Sequence, residues 1–258
     1  MKTLLADTWY VAMRHLRHFA RQPWWIAINL VQPVVWLGLY GALFKRIIDL
    51  RGFGAESYVA FLTPGIVVMS ALSSSGWTGM GVIDDLNSGV MDRFLVSPVR
   101  RGALIAGPLV QTACLIVLQS LIIVAVGLAL GARYRGGVTG VLVLLAAVVL
   151  LSWTVGALSI GLGLTARQRE TLIAVVNFSV LPLTFLSSVL IQPSLAPTWV
   201  QQVAAYNPVT WATEAARAAF GTSPDWVLVR SRVTLLALLA LLAGLVATRA
   251  FRAYQRSV

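Results

Sequence analysis

The strongest constraint on this chain is a series of apolar runs, each as long as a membrane-crossing helix and separated by short clusters of charge. A helix needs about 20 mostly apolar residues to cross the hydrocarbon of a bilayer. Six stretches read this way, over about 24–44, 58–80, 103–130, 138–164, 171–191 and 233–247. Only 11% of residues are charged and 58% are hydrophobic, against roughly 25% charged in a soluble domain. The predicted fold class is all-α: a single polytopic domain over 1–258.

The charges that remain are informative. A net charge of +11 points to loops held against anionic lipid rather than to nucleic acid. The lone Cys114 excludes an internal disulfide and is expected to be a small buried hydrophobe. No cleavable secretory leader is expected, because the first long apolar run starts at Pro23, behind a basic amphipathic segment. Over residues 1–22, Leu5, Trp9, Met13, Leu16 and Phe19 share one helical face, with Arg14, Arg17 and Arg21 nearly opposite. That pattern predicts a helix lying in the membrane interface. His15 and His18 have no third ligand nearby, so no metal site is expected.

The stretch 81–101 stands out. Six charges fall here between two apolar runs, and an Asp or Arg at a bilayer centre costs about 2.5–3.5 kcal/mol on insertion scales. The stretch must therefore leave the membrane. Met91, Phe94 and Leu95 recur at helical spacing, with Gly89 before them and Ser97-Pro98 after. A short amphipathic helix within 83–98 is expected, suited to docking on a soluble partner. Asp84, Asp85, Asp92 and Arg93 would make its polar contacts, and Met91, Phe94 and Leu95 its apolar plug.

Inside the spans, Asn29 and Gln32 stand beside Pro33, and Ser70, Ser73 and Ser74 follow Pro64-Gly65. These residues could line a translocation path or simply pack against other helices. Gly127 and Gly131 form a Gly-xxx-Gly match that permits close helix approach. Residues 192–231 are too long for a turn and too apolar for a solvated loop. Two short helices dipping back into the membrane edge are predicted there, one opened by Pro197-Thr198-Trp199 and one by Asn207-Pro208 and stopped at Gly221. Glu214 and Arg217, one turn apart, are expected to pair. With six crossings and the N-terminus inside, 12 of the 20 Lys and Arg residues face the cytoplasm, with both termini and the 83–98 region.

Enzyme signatures are missing. The two histidines exclude a His-Glu-x-x-His site, no Gly-x-Ser-x-Gly elbow occurs, and neither Lys2 nor Lys45 ends a phosphate loop. A membrane-embedded enzyme would need a polar catalytic cluster that the spans do not hold. A transporter without a motor must borrow its energy from a partner.

Four segments resemble one family: Val31-Gln32-Pro33-Val34-Val35-Trp36, Phe61-Leu62-Thr63-Pro64-Gly65, Gly89-Val90-Met91-Asp92-Arg93-Phe94 with Ser97-Pro98, and Tyr206-Asn207-Pro208-Val209-Thr210 leading to Arg217. In this order they are similar to the type-two permeases of ATP-binding-cassette exporters, nearest to daunorubicin-resistance and nodulation-factor export permeases. The resemblance implies six spans, an interfacial first helix, a cytoplasmic coupling helix and short external helices before the last span. It also implies two permease copies, identical or related, working with two copies of a separate ATPase that holds ATP and Mg. No cofactor is expected in this chain itself. The Asp92-Arg93-Phe94 likeness implies a hydrophobic, drug-like cargo exported across the inner membrane. A glycolipid or polysaccharide is the alternative, because Leu95-Val96-Ser97-Pro98 departs from the drug-exporter pattern.

Overall fold

A computed structural model of the chain describes residues 23–44, 57–90, 101–190, 196–221 and 223–255. Among the described residues there are nine helices and no strand. They are α1 (Pro23–Leu43), α2 (Tyr58–Gly76), α3 (Thr78–Asn87), α4 (Arg101–Ala129) and α5 (Gly137–Ala166), then α6 (Arg169–Phe185), α7 (Thr198–Ala205), α8 (Pro208–Phe220) and α9 (Trp226–Gln255).

Helix α5 is the hub on which α2, α3, α4, α8 and α9 all pack. In lipid there is little hydrophobic drive between helices, so close van der Waals packing through small side chains must hold them. The core shows this. Leu144, Ala147, Val148 and Leu151 of α5 meet Leu62, Ile66 and Ala71 of α2, Ile116 and Ile123 of α4, and Leu236 of α9. Ala212, Ala215 and Ala216 of α8 complete it, all fully buried. That alanine face lets a helix of only 13 residues sink between its long neighbours. A second cluster, built on Leu104, Ile160, Leu164, Ala247, Phe251 and Tyr254, closes the other end of the bundle.

Four segments among the described residues are long and apolar enough to cross a membrane: Tyr58–Asn87, Leu104–Ala129, Gly137–Ala166 and Trp226–Gln255. The last is twice the length expected for it, running 30 residues rather than the 15 of 233–247. At 1.5 Å per residue it is about 45 Å long, so it overshoots roughly 30 Å of hydrocarbon at both ends. Arg230 and Arg232 mark one overshoot, and Arg249 and Arg252 the other.

Three expectations need correction. The fifth stretch, 171–191, is helical only to Phe185 and irregular from Leu186 to Leu190. Pro182 has removed one donor from its last turns, and the Ser187 hydroxyl competes for backbone, donating to the Thr184 carbonyl (2.6 Å) and accepting from the Val189 amide (3.3 Å). Within a membrane, non-helical backbone is tolerated only where protein surrounds it, and Ser188 and Val189 are fully enclosed. Cys114 lies exposed on the outside of α4 rather than buried. The Gly-xxx-Gly match holds at one glycine only. A Cβ on Gly127 would fall on the Tyr134 hydroxyl and come within 2.8 Å of the Thr63 hydroxyl of α2, the close approach expected, whereas Gly131 has open space and takes φ +89° to turn the chain.

Candidate functional site

Two regions at the ends of the bundle hold most of its organised polar chemistry. The first begins where α2 gives way to α3. After a break at Trp77, α3 carries the chain on to Asn87, so Asp84 and Asp85 stand on the continuation of a crossing helix. Ser88 caps it, its hydroxyl donating to the Asp84 carbonyl (2.7 Å), and Gly89 ends it with φ +67°. Asp84 forms an ion pair with Arg169 at the start of α6, both side chains about half exposed. Nearby, Arg167 ends α5 with a left-handed φ of 54°, and its guanidinium lies over the Tyr254 ring of α9, 4.9 Å from the centroid. Three helix ends, those of α3, α5 and α9, are thus tied to one another and to the start of α6. Met91, Asp92, Arg93, Phe94 and Leu95 lie outside the described residues, as do the interfacial segment 1–22 with His15 and His18, and the side chain of Asn29.

The second region is the pair of short helices. Asn207 caps α8 as its position before Pro208 predicts, its Oδ1 accepting from the Val209 amide (2.9 Å). Its Nδ2 does something the sequence did not reveal: it donates to the carbonyls of Leu183 and Leu186, at 2.8 Å each. Thr210 accepts from the Ser188 amide (3.3 Å). Arg217 donates to the carbonyls of Ser188, Val189 (2.8 Å) and Phe61 (3.1 Å), and lies over the Phe61 ring at 3.5 Å. Three side chains of one helix therefore supply donors and acceptors to the broken end of α6. The Arg-to-carbonyl bonds are charge-assisted and stronger than neutral ones.

Glu214 does not pair with Arg217; it pairs with Arg232 of α9 at 2.9 Å. The reason is geometric. Arg217 extends toward the carbonyls beyond α6, which leaves Glu214 to the neighbouring helix. Tyr134, in the turn before α5, donates to Thr63 (2.9 Å), which donates in turn to the Val59 carbonyl (2.7 Å). Burial pushes the Tyr134 phenol up to about 12, so it remains a donor at any ordinary pH.

The residues expected along a path divide. Gln32 is exposed on α1. Ser70 is buried and returns its hydroxyl to the Ile66 carbonyl of its own helix (2.8 Å), a packing role. Ser74 reaches Gln119 of α4 at 3.4 Å, and Ser73 is partly buried beside it. Among the described residues no cluster of His, Cys, Asp or Glu could hold a metal.

Known proteins share this sequence pattern over most of its length. A daunorubicin resistance ABC transporter permease of Streptomyces coeruleorubidus is 29% identical over 217 residues, covering 83% of this chain and 74% of the relative. The transport permease ycf38 of Cyanophora paradoxa is 30% identical over 216 residues, 82% of this chain and 72% of the relative. The inner membrane transport permease YadH of Escherichia coli strain K12 is 27% identical over 193 residues, 71% and 72% of the two chains. The relatives are transport permeases, which accords with a transporter subunit rather than an enzyme. Residues 6–220 match the ABC-2 type transporter family, and with several apolar helices bundled on α5, this chain belongs to it.

Proposed function

We propose that the chain is the transmembrane permease subunit of an ATP-binding-cassette exporter, moved by a separate ATPase that docks on residues 83–98. The observation that carries this reading is the prolongation of the second crossing into α3. A rigid helix leaves the apolar core, bears Asp84 and Asp85, and ends at Gly89 directly before the docking stretch. A force applied to 91–98 is thereby delivered to a helix that packs on the hub α5. Two permease copies, identical or related, and two ATPase subunits holding ATP and Mg would form the working unit. It would lie in the inner membrane, with six crossings, α7 and α8 outside and both termini in the cytoplasm. ATP can shift the inward- and outward-open states only by its differential affinity for the two arrangements of the ATPase pair. The cargo is proposed to be hydrophobic or amphipathic and drug-like, on the strength of the daunorubicin resistance relative.

The test is to co-express and purify the chain with an ATP-binding-cassette ATPase subunit and to assay ATP hydrolysis and dye export in proteoliposomes. Gly89→Pro and Phe94→Asp should leave insertion intact while uncoupling hydrolysis from export. Normal export by both variants would refute the docking assignment. Export of a lipid-linked glycan and not of an amphipathic dye would replace the cargo class with a glycolipid or polysaccharide.

A further inference from the structure

The helix that crosses as Tyr58–Asn87 is interrupted once, at Trp77. An unbroken α-helix would place the Gly79 amide on the Ser75 carbonyl and the Met80 amide on the Gly76 carbonyl. Instead Met80 donates to Trp77 (3.0 Å), the Ser75 carbonyl accepts from the Trp77 amide, and the Gly79 amide and Gly76 carbonyl are taken by one side chain from another helix. Ser159 of α5 donates its hydroxyl to the Gly76 carbonyl and accepts the Gly79 amide at 2.9 Å. That hydroxyl is buried and stands where the backbone ladder is missing, a recognised cause of a sharp bend. The approach is possible only because residue 79 has no side chain: a Cβ there would fall on the Ser159 carbonyl, and one on Gly163 would come within 2.8 Å of the Gly79 carbonyl.

We propose that Ser159 is a positioning residue for coupling, a pin that holds α3 at a defined angle to α2 and lets it pivot at Trp77. The proposal rests on the permease reading above for its purpose, though not for its geometry. Two arrangements satisfy the Gly76 carbonyl, the Gly79 amide and the Ser159 hydroxyl together. In one, Ser159 fills the break. In the other, the ladder closes through Trp77 and the hydroxyl turns to the Val155 carbonyl one turn back on its own helix, as serines in membrane helices commonly do. An element with two satisfied arrangements behaves as a switch rather than a spring. Since α3 carries the residues that lead into the docking stretch, choosing between them re-aims that stretch.

The lever is short. From Thr78 to Asn87 the helix rises about 14 Å, so a change of about 20° at the break moves its end by about 5 Å. Spin labels at Asn87→Cys and Arg249→Cys, both exposed positions, on a Cys114→Ser background would read that movement in lipid nanodiscs. Ser159→Ala should shift the mean distance by about 5 Å. Gly79→Ala reaches the same pivot from the other side and should shift it as well. Thr154→Ala, which removes a hydroxyl bonded only within α5 (Thr154 to Leu150, 2.9 Å), should leave it unchanged. With the ATPase bound, Ser159→Ala should lower cargo moved per ATP by about fivefold or more without lowering ATPase recovery. Unchanged distances in both pivot variants would overturn the pin, and shifted distances with unchanged coupling would overturn its positioning role. Failure of the wild-type chain to take up an ATPase would strike the permease reading instead, and the label distances would still decide the pivot.

Discussion

Replacing Arg217 by methionine tests whether α8 holds the broken end of α6 together. Methionine keeps much of the side-chain volume but offers nothing to the carbonyls of Ser188, Val189 and Phe61, which Arg217 now satisfies. Each hydrogen bond from a charged donor contributes about 1.5–3 kcal/mol, and the contact with the Phe61 ring about 0.5–2 kcal/mol. Those terms are not additive, and the variant is relieved of burying a cation, which offsets part of the loss. Leaving a buried acceptor unsatisfied costs about 1–3 kcal/mol, and for three carbonyls less that relief we take about 3–5 kcal/mol as the expected destabilisation. At about 2–4 °C per kcal/mol for a chain of this size, Tm should fall by roughly 10 °C in detergent. Hydrogen exchange should show where the damage lies: peptides covering 186–190 should exchange about 100-fold faster before the bundle melts. Arg217→Lys should fall between, since an ammonium keeps the charge but not the fork or the stacked plane. A methionine variant melting within about 2 °C of wild type, with 186–190 still protected, would refute the account.

Four further outcomes follow from other contacts of the fold. Glu214→Gln and Arg232→Met should each destabilise, and the double variant should lose less than their sum, with a coupling of about 1–2 kcal/mol by thermal melts of all four chains. Asp84→Asn or Arg169→Ala should barely change Tm, because a half-exposed pair contributes about 0–1 kcal/mol; any loss of coupled ATPase activity would then report docking rather than folding. Gly127→Ala should cost about 1–3 kcal/mol by driving a methyl onto the Tyr134 hydroxyl. Because the folded chain holds the Tyr134 proton more tightly than the unfolded one, the stability tied to the protonated phenol is whole below pH 10 and is lost as pH rises toward about 12. Wild type should therefore lose Tm faster than Tyr134→Phe across that window.

Much was legible before any coordinates. Helix type and approximate extent followed from apolar runs because lipid leaves backbone no alternative to internal hydrogen bonds. The caps followed as well: Asn207-Pro208 opens α8 and Gly89 takes the left-handed φ that ends α3. These signals are local, carried by one or a few adjacent residues. The partners of Arg217 differ from the expected one for the opposite reason. A carboxylate one turn away is visible in sequence, whereas carbonyls some 30 or 160 residues distant look like any other carbonyls until the chain is folded. Ser159 carries no signal in the sequence for the same cause. On α5 it is one small polar residue among several, and nothing near it in sequence shows that a gap in another helix awaits its hydroxyl.

Sequence alone therefore determined that this chain is a membrane-embedded helical bundle with a polar interruption after its second apolar run, since composition and periodicity act one segment at a time. Only the tertiary structure decided which backbone groups were left without helical partners, and which side chains from other helices supply them. That matching depends on where separate segments meet in space.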